Sequence, residues 1–180
     1  MQIGGHKKMK LTNIEILKYE LQKKVYRVKS NIQKLMYIQA NTGIIDSVIL
    51  MAAKAAKPNP FHNFGHQIGA TESFVKIALA AGIPIEIITE VASVLLFHDA
   101  DHTGIQKYSD EMRGFETYDQ YLDETDFASM GLMKDELSMA RRREMFLTTI
   151  FRDRGKTDDE IMLMIQDADL GHMGQGPEYQ

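Results

Sequence analysis

The chain has no cysteine and no tryptophan among its 180 residues, and only 4 prolines. Without cysteine there are no disulfides and no thiolate ligands. Any metal must then be held by His, Asp and Glu, a donor set suited to hydrolytic or oxygen-ligated centres rather than zinc fingers. Long apolar runs are lacking too. None approaches the roughly 18 residues a membrane helix needs, and the N-terminus has no signal-peptide core. The expectation is a cytoplasmic protein with no membrane partner. Neither sign of charge dominates: 21 basic and 25 acidic residues leave a net of −4, which argues against a nucleic-acid platform. With 44% hydrophobic and 26% charged residues, the chain has the composition of a globular protein and the length for one domain.

Sustained period-two alternation is also missing, whereas apolar spacings of three and four recur, so the expected fold class is all-α. Ile14, Leu17, Leu21, Val25, Val28, Ile32 and Leu35 describe one long amphipathic helix over 12–40, with Lys18, Lys23, Lys24, Arg27 and Lys29 on its opposite face. That basic face reads equally as a solvated surface or as a packing surface for a partner, including a second copy of the chain. A second helix is expected over 44–57, stopped by Pro58 and Pro60. Helical spacing resumes over 69–81 and again over 84–98. Residues 103–114 read as a loop, and 115–122 and 134–152 as helices. Thr157 with Glu160 forms a capping box that opens a last helix over 158–169. The whole is expected to be one domain, with a helical scaffold over 1–56, a core bearing the chemistry over 57–172 and a flexible tail over 173–180.

Chemistry concentrates at Leu96-Phe97-His98-Asp99-Ala100-Asp101-His102-Thr103-Gly104, where an apolar run ends in imidazoles and carboxylates. Such groups are costly to bury unpaired, and a divalent cation would pair them. Two aspartates capping a solvated helix end are the bland alternative. His98 and His102 are four apart and share a face if the helix continues that far. Phe61-His62-Asn63-Phe64-Gly65-His66 and Ala168-Asp169-Leu170 offer further donors. Asp167 and Asp169 are two apart and cannot both face one way, so at most one serves as ligand.

Taken in this order, the motifs resemble those of the HD-domain superfamily of metal-dependent phosphohydrolases. Their wording is closest to the catalytic domains of class I cyclic nucleotide phosphodiesterases: aromatic-His-Asn-x-x-His, then Phe-His-Asp-x-x-His-x-Gly, then Ala-Asp-Leu. The resemblance spans about residues 61–170. It implies a compact HD-like helical bundle with a metal site between helices. His66, His98, Asp99 and Asp169 would bind one divalent metal, drawn from zinc, manganese, iron, nickel, cobalt or magnesium. Asp99 would also touch a second metal, and His102 matches a supporting or second-metal position. His62 matches the general acid. The implied activity is hydrolysis of a small-molecule phosphomonoester or phosphodiester, with a nucleotide as the expected substrate, by a metal-activated water. A Glu that hydrogen-bonds the acid histidine is part of the pattern; Glu111, Glu116 and Glu124 lie in the right region, and Glu116 is the one chosen. Arg143, four before Leu147 and on the side of Met139 and Phe146, is the expected phosphate contact.

The sequence also departs from the phosphodiesterases. Thr103 stands where they have Pro, and the Asn expected shortly downstream is not in place. Their purine-selecting glutamine and aromatic clamp lie well beyond the last motif, whereas 11 residues follow Asp169 here. The expectation is a metal centre without the cyclic-nucleotide pocket, followed by a glycine-rich tail or the edge of a longer protein, with His172 exposed in it. Two rival readings stay open: a non-catalytic nucleotide-binding regulatory module that keeps its metal for structure, and a di-iron oxygenase.

Overall fold

A computed structural model describes residues 13–59, 62–103, 107–150 and 157–171. The three- and four-residue spacings resolve into eight helices among these residues: α1 (Asn13–Thr42), α2 (Asp46–Ala55), α3 (Phe64–Ala80), α4 (Ile85–Leu95), α5 (Lys107–Tyr121), α6 (Glu124–Ser129), α7 (Glu136–Thr148) and α8 (Glu160–Gly171). The fold is all-α, as the periodicity implies. None of these helices is long and apolar enough to cross a membrane. The expected tail over 173–180 and His172 lie outside the described residues, as do Phe61 and Gly104 of the two histidine motifs.

Helix α3 is the centre of the bundle and packs against α8, α1 and α4. Its neighbour α4 is apolar on nearly every side, with Ile88, Val91, Ala92, Val94 and Leu95 all buried, which is the pattern of a helix wrapped by others. Beyond it, Tyr118 of α5 meets Phe97, Phe127 and Phe146 at centroid separations of 5.5, 5.6 and 5.5 Å. The Tyr118 hydroxyl is not stranded in this aromatic cluster, because it pairs with Ser93 Oγ at 2.9 Å.

Several boundaries differ from the sequence expectation, each for a local reason. Helix α3 starts at Phe64 rather than Gly69, because Asn63 caps it and its side chain accepts from the His66 amide at 3.2 Å. Helix α4 stops at Leu95, short of His98. Helix α5 begins at Lys107, within the stretch expected to be a loop, and α6 was not foreseen at all; Asp123 caps it. The last helix is capped by Asp159, whose Oδ1 accepts from Ile161 and Met162 amides at 2.9 and 3.1 Å. Thr157 bonds only the Asp159 amide there, so the Thr157–Glu160 box is not the device used.

The long first helix is present, but its apolar stripe is not buried along its length. Ile38 is in the core and Leu35 packs against it, whereas Leu17, Leu21, Val25, Val28 and Ile32 are 52% to 60% exposed.

Helix α7 presents Arg142 to the interior, and Arg143 to solvent. The expected inward turn of Arg143 is therefore corrected: the neighbour one position earlier on the helix is the inward one, and it is committed elsewhere. Arg142, 1% exposed, donates from Nη1 to the Met133 carbonyl at 2.7 Å. Its Nε approaches Glu90 Oε1 at 2.9 Å, at an angle short of a hydrogen bond, and its guanidinium lies 4.6 Å from the Phe127 ring centroid. Removing one member of a buried ion pair strands the other. Arg142→Ala is therefore expected to cost about 3 kcal/mol in urea unfolding, and Arg143→Ala less than about 0.5 kcal/mol. Equal effects would contradict this assignment.

Candidate metal centre

Three elements deliver the donors. His66 sits in the first turn of α3, Asp169 near the end of α8, and His98 and Asp99 in the turn that follows α4. The α3–α8 contact brings His66 Nε2 to 2.9 Å from Asp169 Oδ1 across 103 positions of sequence. The early end of α4 does the rest. A helix C-terminus leaves carbonyls without intrahelical donors, and the carbonyl of Leu95 accepts from His98 Nδ1 at 2.7 Å. That bond fixes the imidazole so that Nε2, with its lone pair, faces the other donors. Helix α5 closes over this turn so tightly that only glycine fits at position 114. A Cβ there would stand 2.7 Å from the His98 carbonyl oxygen and 3.1 Å from that of Phe97.

The donor atoms are close enough together that they could hold a cation. His98 Nε2 lies 3.3 Å from His66 Nε2 and 3.4 Å from Asp169 Oδ1. Asp99 Oδ2 lies 3.5 Å from His66 Nε2 and 3.4 Å from His98 Nε2, and has no hydrogen-bond partner. Ligands about 2.1 Å from an ion, at octahedral or tetrahedral angles, lie about 3.0 to 3.4 Å from one another. All four residues are buried. A buried carboxylate oxygen without a donor, facing two imidazole nitrogens, fits a cation that would satisfy all three.

The condition under which His98 and His102 would share a helix face is not met. The helix ends before both, and Asp101 takes a left-handed conformation (φ 55) that turns the chain. His98 groups with His66 and Asp169, while His102 groups with His62 and Asp99. Asp99 joins the two groups: its Oδ1 accepts from His62 Nδ1 at 3.1 Å while Oδ2 faces His66 and His98. The two groups are not equally ready for an ion. The rings of His66 and His98 are inclined at 63°, so their lone pairs can converge. Those of His62 and His102 are stacked at 3.9 Å and 12°. Imidazole lone pairs lie in the ring plane, so one ion cannot sit in both of two nearly parallel planes. Binding by both histidines would require one ring to turn.

The charges are mutually tuned. Burial opposes the charged form of His98, but the negative charges of Asp99 and Asp169 outweigh it and carry its pKa up to about 9. Burial likewise opposes ionised Asp99 and Asp169. The imidazoles nevertheless hold both carboxyls below their usual range, Asp169 well below it. His62 is raised, chiefly by its bond to Asp99. His102 is lowered, by burial first and then by the charge of His62. The stack therefore pairs a histidine biased to be charged with one biased to be neutral.

Glu116, the glutamate chosen from the sequence, is exposed on the outer face of α5, and Glu124 is exposed on α6. The buried member is Glu111. It lies one turn before Gly114 on the face that meets the His98 turn, with Oε2 unpartnered. Burial raises its pKa, the charges of Asp110 and Asp99 add to the rise, and His62 opposes it. Glu111 rather than Glu116 is the inward glutamate because α5 starts early, and the buried Glu111, Gly114 and Tyr118 of that helix are spaced at three and four. Asp110, unmarked by any motif, is also buried. It accepts from the Thr103 amide at 3.1 Å and hydroxyl at 2.7 Å, and its Oδ2 stands 3.6 Å from His102 Nδ1. Asp167 is exposed, as its position two before Asp169 implies.

A scan of the chain against protein-family models finds no match, and a search of curated proteins finds none.

In metal-free protein the proton on His98 stands in for the cation. A raised histidine stabilises the fold fully below its ordinary value of 6.5, and that contribution is lost as pH rises through about 9. The lowered Asp99 and Asp169 stabilise it above 3.8 and lose their effect as pH falls below that value. Thermal unfolding in chelator should therefore give the highest midpoint between about pH 4 and 6.5, declining toward pH 9. A profile that is flat or rising from 6.5 to 9 would contradict the pairing.

Proposed function

We propose that the protein is an HD-type, metal-dependent phosphohydrolase that cleaves a small-molecule phosphoester, with a nucleotide as the substrate class. The observation that carries this reading is the buried convergence of His66, His98, Asp99 and Asp169, the same four positions that the motif resemblance assigns as ligands. Their nitrogen and oxygen donors suit zinc, manganese, iron, nickel, cobalt or magnesium. A divalent cation held there supplies positive charge to a phosphoryl oxygen and lowers the pKa of an attacking water.

His62 is the proton donor. Its Nδ1 is engaged by Asp99 and its side chain is 37% exposed, so a substrate can reach the ring, whose Nε2 carries the transferable proton in the charged form. The bond to Asp99 raises the pKa of His62 and so favours the protonated form, from which a departing alkoxide would take the proton. Asp99 couples the two functions: one oxygen would hold the metal while the other bonds His62. Glu111 and Asp110 line the outer side of this pair, Asp110 against His102 and Glu111 within electrostatic reach of His62.

With metal-stripped protein reloaded with manganese or zinc, Asp99→Ala is expected to lower phosphoester hydrolysis at least about a thousandfold while circular dichroism stays unchanged. His62→Ala should cost roughly a hundredfold or more on alkyl esters and far less on nitrophenyl esters, whose leaving group needs no proton. Unchanged turnover in Asp99→Ala, or no hydrolysis by the loaded wild type, would overturn the proposal.

A further inference from the structure

The exposed stripe on α1 begins in the core. Leu35 packs against the bundle, and Ile32, Val28, Val25 and Leu21 continue the line outward at steps of three and four. A strict 3.5-residue repeat is the seam of a coiled coil rather than the wider face of a helix lying on a globular core. With Leu21, Val28 and Leu35 as d positions, Val25 and Ile32 fall at a. β-Branched residues at a, with leucine at two of the three d positions, favour two strands.

The flanks specify the second strand. Lys24 and Lys29 take the g and e positions beside the seam, and Lys18 takes the preceding a position. Over 17–35 a single acidic residue, Glu20, stands against six basic ones: Lys18, Lys23, Lys24, Arg27, Lys29 and Lys34. A second copy of this helix in parallel would set Lys18 against Lys18 and Lys24 against Lys29, so the seam is charged against itself. A bilayer is a poor match as well. Interfacial helices bury a broad face of Trp, Phe and Leu, whereas this stripe follows the a and d positions, holds valines and has no tryptophan or phenylalanine.

We propose that the 17–35 face of α1 docks an amphipathic helix from a partner protein, one with an apolar heptad seam and acidic flanks, as a parallel two-stranded coiled coil. The proposal is independent of the metal centre and of the activity proposed above.

The test is calorimetric titration of the full chain with synthetic helices roughly three heptads long, built on an Ile/Leu seam and carrying either glutamate or lysine at both flanks. The glutamate peptide should bind, and the lysine peptide at least about tenfold more weakly. Val28→Asp should abolish binding with the melting of the bundle unchanged, since Val28 is exposed and supports no core contact. Lys24→Glu combined with Lys29→Glu should reverse the preference. Failure of both peptides to bind, or equal binding of the two, overturns the proposal. It is also overturned if light scattering shows a dimer of the chain that Val28→Asp dissolves, or if the chain sediments with phosphatidylserine vesicles in a way that Val28→Asp abolishes.

Discussion

Charge buried without water must be paired, and the bundle is arranged around that requirement. Asp99 and Asp169 lie with His66 and His98 where almost no solvent reaches them. Desolvating such ions costs several kcal/mol each, which only close opposite charges recover. The recovery needs three elements in register: α3 against α8, the early stop of α4, and α5 resting on the His98 carbonyl at Gly114. Shifting any of them by an ångström would leave an unpaired carboxylate in the core.

Asp99 divides the site into two kinds of chemistry. One oxygen faces a set of nitrogen and oxygen atoms that could hold a cation, and the other bonds a partly exposed histidine and raises its pKa. His102 lies flat against that histidine and is tuned in the opposite direction. A partly exposed histidine and a buried donor set that could hold a cation thus stand on opposite sides of a single carboxylate, and the proposed hydrolysis would use the first as proton donor and the second as metal site. Arg142, the cation that the triple arginine turns inward, is used to stitch α7 to α4 through Glu90 and takes no part in this arrangement.

The sequence spelled out which residue types would meet better than it spelled out how the chain presents them. The all-α class and the His66, His98, Asp99 and Asp169 grouping were legible, because periodicity and motif order survive small shifts in helix ends. Where one residue of register decides the outcome, the reading failed. Whether His98 and His102 share a face hung on the helix continuing past them, and spacing alone cannot show that α4 stops at Leu95 and that Asp101 turns left-handed. Arg143 was preferred to Arg142, and Glu116 to Glu111, because about 100° of rotation per residue separates inward from outward on helices whose phase was uncertain. The 111, 114, 118, 122 spacing was present in the sequence and would have identified Glu111 had α5 been started earlier. The exposure of α1 was invisible for another reason: an amphipathic stripe announces that something covers it, without saying whether the cover is the same chain.

The central claim is that four buried side chains form one cation site, and metal titration of chelator-stripped protein by calorimetry tests it most directly. One equivalent of zinc or manganese should bind saturably, and Asp169→Ala should lose that binding while keeping the helical circular dichroism of the wild type. Absence of saturable binding in the wild type, or binding left intact by Asp169→Ala, would contradict the account.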